Sequence, residues 1–173
     1  MRSIASSAAV LCMGFLTSCQ STNNNISALD AANIYAENKN TIWSIRDRFS
    51  GPFQTFQRIP ARDPSKATNE EKTLFASLKR NFPIEYLELY ATNSDSLDEI
   101  DIILAHFDDD EKWNVTRLVY LQSPLPPPPP GSGIAIFDRC DQRASAWLKQ
   151  NNGGKSTVFC KLDDHWYANQ SVR

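Results

Sequence analysis

Ile100-Asp101-Ile102-Ile103-Leu104-Ala105-His106-Phe107 decides the fold. It is answered across a charged turn by Trp113-Asn114-Val115-Thr116-Arg117-Leu118-Val119-Tyr120-Leu121-Gln122. Both runs are rich in β-branched and aromatic residues, and neither contains Gly or Pro. They read as two strands of an antiparallel hairpin turning at residues 108–112. If the first strand alternates throughout, His106 shares a face with Ile100, Ile102 and Leu104, as a satisfied or rim histidine and not a ligand.

Working outward, Ile84-Glu85-Tyr86-Leu87-Glu88-Leu89-Tyr90 has a period of two and reads as a strand, followed by turn-forming residues 93–96. Downstream, residues 133–137 form a short strand. Residues 142–151 form a short helix with Asp141 as cap and Ala144, Trp147 and Leu148 inward, ended by Asn151-Asn152-Gly153-Gly154. Residues 157–162 and 166–168 read as a closing hairpin or one bent strand around Asp163-Asp164. Upstream, a helix starts near Ser27, with Asp30 near its positive end. Its apolar stripe is Leu29, Ala32, Ala36, Trp43, Ile45 and Phe49, and Gly51-Pro52 stops it. Residues 53–59 alternate as a short strand, and Pro60 and Pro64 bracket a loop. Thr68-Asn69-Glu70-Glu71 has the form of a capping box ahead of a helix carrying Leu74, Phe75, Leu78 and Phe82.

Helices first, then mostly consecutive strands with one inserted helix, indicate α+β. The expectation is an antiparallel sheet of about four to six strands, packed on one face by the N-terminal helices, with one short helix inserted before the last strands. Nothing supports a doubly wound sheet.

The composition is globular: 41% hydrophobic and 22% charged residues over 173 positions. A net charge of -2 offers no basic field for nucleic acid. A mean hydropathy of -0.43 excludes a polytopic membrane protein.

The leader sets the address. Arg2 is a short positive region, and residues 4–16 are small and apolar without a charge. Thirteen residues are too few to span ~30 Å of hydrocarbon as a helix. The run ends in Leu16-Thr17-Ser18-Cys19. This resembles the lipobox of bacterial lipoproteins: an aliphatic residue, two small ones, then the Cys that becomes the mature N-terminus. The resemblance covers only the leader. It implies a diacylglyceryl thioether on Cys19, cleavage before it and acylation of the freed amine, because the thiol is the nucleophile there. Several acyl chains make a stable anchor where one would be marginal. In such lipoproteins an Asp after the Cys retains the protein in the inner membrane. Gln20 stands there instead, which favours the outer membrane. Residues 1–18 are then a signal peptide, 19–25 a lipidated polar tether, and 26–173 a single α+β domain. Cleavage takes 18 residues and one positive charge, Arg2, leaving 155 residues and a net charge of -3.

Cys12 leaves with the signal and Cys19 takes lipid, so Cys140 and Cys160 remain. An even pair in an exported chain reads as a disulfide. The alternative is a nucleophilic thiol served by His165 and an acid.

The most unusual segment is Pro124-Leu125-Pro126-Pro127-Pro128-Pro129-Pro130-Gly131-Ser132-Gly133. Five consecutive prolines impose polyproline II, without backbone donors. Such a rod suits an aromatic groove, making Pro126, Pro127, Pro128, Pro129 and Pro130 a candidate docking element for an envelope partner. The plainer reading is a stiff loop between two strands.

Asp108-Asp109-Asp110-Glu111 has the carboxylates of a cation site but not the Gly and Glu of an EF-hand, so a solvated turn is expected. Asp163-Asp164-His165 has the groups of a metal or acid/base cluster, but a polar turn before Trp166 is the expectation. No H-E-x-x-H, C-x-x-C, G-x-S-x-G or P-loop pattern occurs. No catalytic residue, cofactor or metal is therefore expected. The leading expectation is a non-enzymatic outer-membrane lipoprotein facing the periplasm. It would bind an envelope protein, or act as an assembly accessory or inhibitor. Two alternatives stand beside it: a module binding a small molecule or lipid, and a small envelope hydrolase using paired carboxylates.

Overall fold

The computed structural model describes residues 26–49, 52–63, 65–108, 112–151 and 153–173. The signal peptide, Cys19 and the tether lie outside the described residues, as do Gly51, Pro64, Asn152 and residues 109–111 of the acidic turn.

Three helices and seven strands are present among the described residues. They run in the order α1 (Ala28–Arg48), β1 (Phe56–Ile59), α2 (Asn69–Lys79), β2 (Tyr86–Tyr90), β3 (Glu99–Asp108), β4 (Trp113–Leu121), β5 (Ile134–Phe137), α3 (Gln142–Gln150), β6 (Ser156–Lys161) and β7 (Trp166–Val172). The strands form one sheet in the order β1-β2-β3-β4-β7-β6-β5. The fold is α+β, with α1 against the sheet and a short helix before the last two strands.

Seven strands replace the expected four to six. Residues 56–59 pair as an edge on β2, and the C-terminal run splits at Asp163-Asp164 into a true hairpin. The sheet is also mixed, because β5 runs parallel to β6. A parallel pair needs a crossover, and α3 supplies it.

All three helices start on side-chain caps. Ser27 and Asp30 bond reciprocally, and so do Thr68 and Glu71. Asp141 accepts from the backbone of Arg143. In α1 the buried positions are Ala28, Ala31, Tyr35, Ile42 and Ile45. This corrects the expected stripe: Leu29 and Ala36 turn outward. Tyr35 is the reason, because its ring packs inward while its hydroxyl reaches a distant carboxylate. At Asn38 the helix departs from regular geometry.

The core lies between the helices and one sheet face. Ile59, Leu87, Ile100, Ile102, Leu118, Trp166 and Val158 from the strands meet Ile42, Ile45, Leu78 and Leu148 from the helices. Cys140 and Cys160 join the start of α3 to β6: their sulfurs stand at disulfide distance, with Cα atoms 5.1 Å apart.

Strict alternation fails in β3. The β3–β4 register shifts between Ile103 and Ala105, a bulge that rotates the rest of the strand. His106 therefore pairs with Val115 on the face away from the helices, not with Ile100, Ile102 and Leu104. It is a satisfied histidine there, with Nδ1 3.2 Å from the Tyr86 hydroxyl.

Candidate functional site

Directly paired strand residues share a face, so the pairings give the composition of the sheet face that no described helix covers. One row across it reads Arg58, Glu88, Asp101, Val119, Tyr167. The next reads Tyr86, Ile103, Arg117, Asn169, Phe159. A third reads His106, Val115, Ser171, Thr157. This face mixes a small apolar cluster, formed by Tyr86, Ile103 and Val115 with Trp113 against it, with a chain of buried polar groups.

The polar chain crosses four strands. On β3, Asp101 is fully buried, and its Oδ2 accepts a hydrogen bond from Nη1 of Arg117 on β4. The Arg117 Nε donates at 2.9 Å to Oδ1 of Asn169 on β7. Asn169, itself fully buried, donates through Nδ2 to the Val158 carbonyl at 2.9 Å. Thr157 on β6 bonds Ser171 at 3.0 Å, and Ser171 leads back to Asn169. Buried polar groups need such partners, and here each side chain fixes the next. One atom departs from the rule: Asp101 Oδ1 has no partner.

Burial pushes the Asp101 carboxyl up to about 8. Arg117 opposes the shift, and the neighbouring Glu99 and Glu88 add to it. Glu88 sits directly across from Asp101, and Glu99 lies two residues along the same strand. Asp101 has no exposed surface, so a substrate cannot touch it. The Tyr90 hydroxyl donates to Glu88 at 2.9 Å and is held above its ordinary pKa, first by burial and then by that bond. The Arg58 guanidinium stacks 3.5 Å over the Tyr86 ring.

The polar turn at Asp163-Asp164-His165 is a fastening point. Asp163 Oδ1 accepts from the backbone N–H groups of His165 and Trp166 at 3.0 and 2.9 Å. Its Oδ2 accepts from the Tyr35 hydroxyl and from Trp43 Nε1, tying α1 to the β6–β7 turn. Burial alone would raise the Asp163 pKa. The donors from Tyr35, His165, Trp166 and Trp43 outweigh it and hold it below the ordinary value. Tyr35 moves the other way, raised by burial first and by Asp163 second. His165 is occupied as well, with Nδ1 3.0 Å from the Leu121 carbonyl and its ring stacked on Tyr120. With their sulfurs at disulfide distance, neither Cys140 nor Cys160 offers a free thiol to His165.

The proline segment joins β4 to β5. Pro126, Pro127, Pro129 and Pro130 are exposed, and Pro128 is half-buried. The Gln122 N–H donates to the Asp98 carbonyl at 2.9 Å before it, and the Gly133 carbonyl accepts from Thr157 at 2.8 Å after it. Gly131 and Gly133 both have positive φ. A Cβ on Gly133 would stand 2.6 Å from the Lys155 carbonyl oxygen, so only glycine allows this approach. Where the segment meets the sheet, a cleft opens over the Thr157–Ser171 end of the polar chain, with Trp113, Arg117 and Lys155 in its wall.

Among the described residues, no group of three His, Cys, Asp or Glu side chains could hold a metal ion. No described helix is long and apolar enough to cross a membrane. The polar chain of Asp101, Arg117 and Asn169 is absent from the motif inventory of the sequence. Its signal is a charged residue beside apolar neighbours in each of two strands, Asp101 after Ile100 in β3 and Arg117 before Leu118 in β4. No protein-family model, curated protein or solved structure matches the chain.

Proposed function

We propose that the protein is a lipid-anchored envelope protein that docks another envelope protein through residues 126–130, without catalysis of its own. The observation that carries this reading is the exposure of four of the five consecutive prolines, in a segment pinned at both ends. A polyproline II rod has no donors of its own, and it surrenders little conformational freedom on binding. Pinning both ends lowers that entropic cost further. The leader supports the anchor: Leu16-Thr17-Ser18-Cys19 supplies the lipidation site, and Gln20 in place of Asp favours the outer membrane. The described chain begins at Ile26, seven positions beyond Cys19, so the tether spans at most about 25 Å. The domain on this reading works close to the membrane surface.

The test has two arms. A photocrosslinking residue at position 127 in cells should yield an adduct that disappears when Pro126–Pro130 are replaced by a Gly/Ser linker. Finding only the uncrosslinked lipidated monomer would sink the docking role. Cys19→Ala should move the protein out of the detergent phase; unchanged partitioning would refute the anchor.

A further inference from the structure

We infer that the cleft on the helix-free face is a binding site for a small organic oxyanion, a carboxylate or phosphate group carried on a compact apolar body. The cleft holds about 350 Å³, at the lower end of the range for small-ligand sites. Two cations line it, Arg117 and Lys155, and no carboxylate does. Trp113, Phe159 and Ile134 supply apolar wall beside them.

The cations are set up differently. Arg117 is held rigid from behind, with Nη1 on Asp101 and Nε on Asn169. Among the described residues no acceptor bonds its Nη2, and the side chain keeps 26% of its surface exposed where it lines the cleft. A guanidinium fixed this way presents donors in the fork geometry that suits a carboxylate or phosphate. Lys155 Nζ lies 5.5 Å from the centre of the Trp113 ring, and no carboxylate among the described residues pairs with it. The Thr157 and Ser171 hydroxyls bond each other and lead toward Asn169, so they buttress the guanidinium. The fourth wall is Ser132-Gly133, whose close approach to the Lys155 backbone requires glycine. Positive charge, a preset guanidinium, an aromatic wall and limited volume point together to an anion with a short apolar part.

The probes are 3-phenylpropionate and phenyl phosphate, with neutral 3-phenylpropanamide as control. They are titrated into the full lipidated chain in detergent micelles, reading the Trp113 indole N–H and the Arg117 Nε–H by NMR. Both anions should give saturable shifts below about 10 mM, and the amide none. The tighter of the two identifies the headgroup chemistry. Lys155→Ala should weaken binding roughly fivefold, and raising the salt should weaken it further. Arg117→Gln should abolish binding. If that variant fails to fold, exposed Lys155 still gives the reading. Absence of saturable shifts with either anion, equal titration by the amide, or unchanged affinity in Lys155→Ala each overturns the assignment.

Discussion

Asp101→Asn isolates what the buried carboxylate does to folding. Asp101 has no exposed surface; one oxygen meets Arg117, and the Glu99 carboxyl stands beside the group. Burial, with Glu99 and Glu88 nearby and Arg117 opposing, pushes its pKa up to about 8. An unfolded Asp titrates near 3.9, about four units lower. Between roughly pH 4 and pH 8 the native state therefore keeps a proton that the unfolded state has lost. Stability must fall as pH rises through that window and level off above it. Each pH unit inside the window costs up to about 1.4 kcal/mol, so moving from pH 5 to pH 8 costs on the order of 4 kcal/mol. Asn has nearly the same shape and no proton to lose, and its amide oxygen can still accept from Arg117. The variant should match the wild type only at or below about pH 4, already exceed it by roughly 1.5 kcal/mol at pH 5, and exceed it by several kcal/mol at pH 8. Urea unfolding at pH 5, 6, 7 and 8, at constant ionic strength, measures the difference. Parallel stability curves for the two proteins would refute the reasoning, because they would mean that Arg117 keeps Asp101 ionised throughout.

Reducing Cys140 and Cys160, which enclose α3 at a separation of 20, should cost about 3 kcal/mol in urea unfolding; a loss well below 1 kcal/mol would count against a structural role. Gly133→Ala places a Cβ 2.6 Å from the Lys155 carbonyl at a positive φ, so it should cost at least about 1–2 kcal/mol. It should also open the cleft wall, and unchanged stability would show that the segment relaxes freely. Asp163→Ala removes the acceptor for Tyr35, Trp43 and two backbone donors, and should cost about 2–3 kcal/mol at pH 7. Because the native Asp163 pKa is lowered, its stabilisation is present above pH ~4 and is lost as pH falls through the native value. The variant should therefore show a shallower acid limb, and an unchanged limb would rule Asp163 out as its source.

What the sequence makes legible follows from how local each decision is. Helix starts are readable at Ser27, Thr68 and Asp141, because a cap is settled within four residues. Strand runs are readable because their period is local. The phase of α1 is not, because Tyr35 turns inward to reach Asp163, 128 positions away. His106 changes face because a bulge is fixed by register against β4, not by the composition of β3. The Asp101–Arg117 pair lay within reach of the sequence. In Ile100-Asp101-Ile102-Ile103 alternation sets Asp101 opposite Ile100 and Ile102 and on the face of Ile103, and in Val115-Thr116-Arg117-Leu118-Val119 it puts Arg117 with Val115 and Val119. The partnership itself needs the β3–β4 register, which no short-range signal carries.

The chain path explains why the helix-free face is not simply solvated. β4 is antiparallel to β7, β7 to β6, and β6 is parallel to β5, so β4 and β5 point the same way. The proline segment is therefore a parallel crossover that passes β7 and β6. Parallel crossovers are right-handed in nearly all cases. The return from β5 to β6 moves in the opposite sense across the sheet, and α3 takes it over the core face. A right-handed path outward must then pass over the other face. The dimensions agree: seven residues at about 3.1 Å give a rod of roughly 22 Å. The descent from the level of Tyr120 to that of Val115 is five residues at about 3.3 Å, or roughly 17 Å. Val119 and Tyr167 lie on that face and are almost fully buried, although no described helix covers them. A crossover rod on this side of the sheet would lie over them. One segment can thus present four exposed prolines outward, shelter part of the polar chain, and end in the Gly131-Ser132-Gly133 turn that closes the cleft.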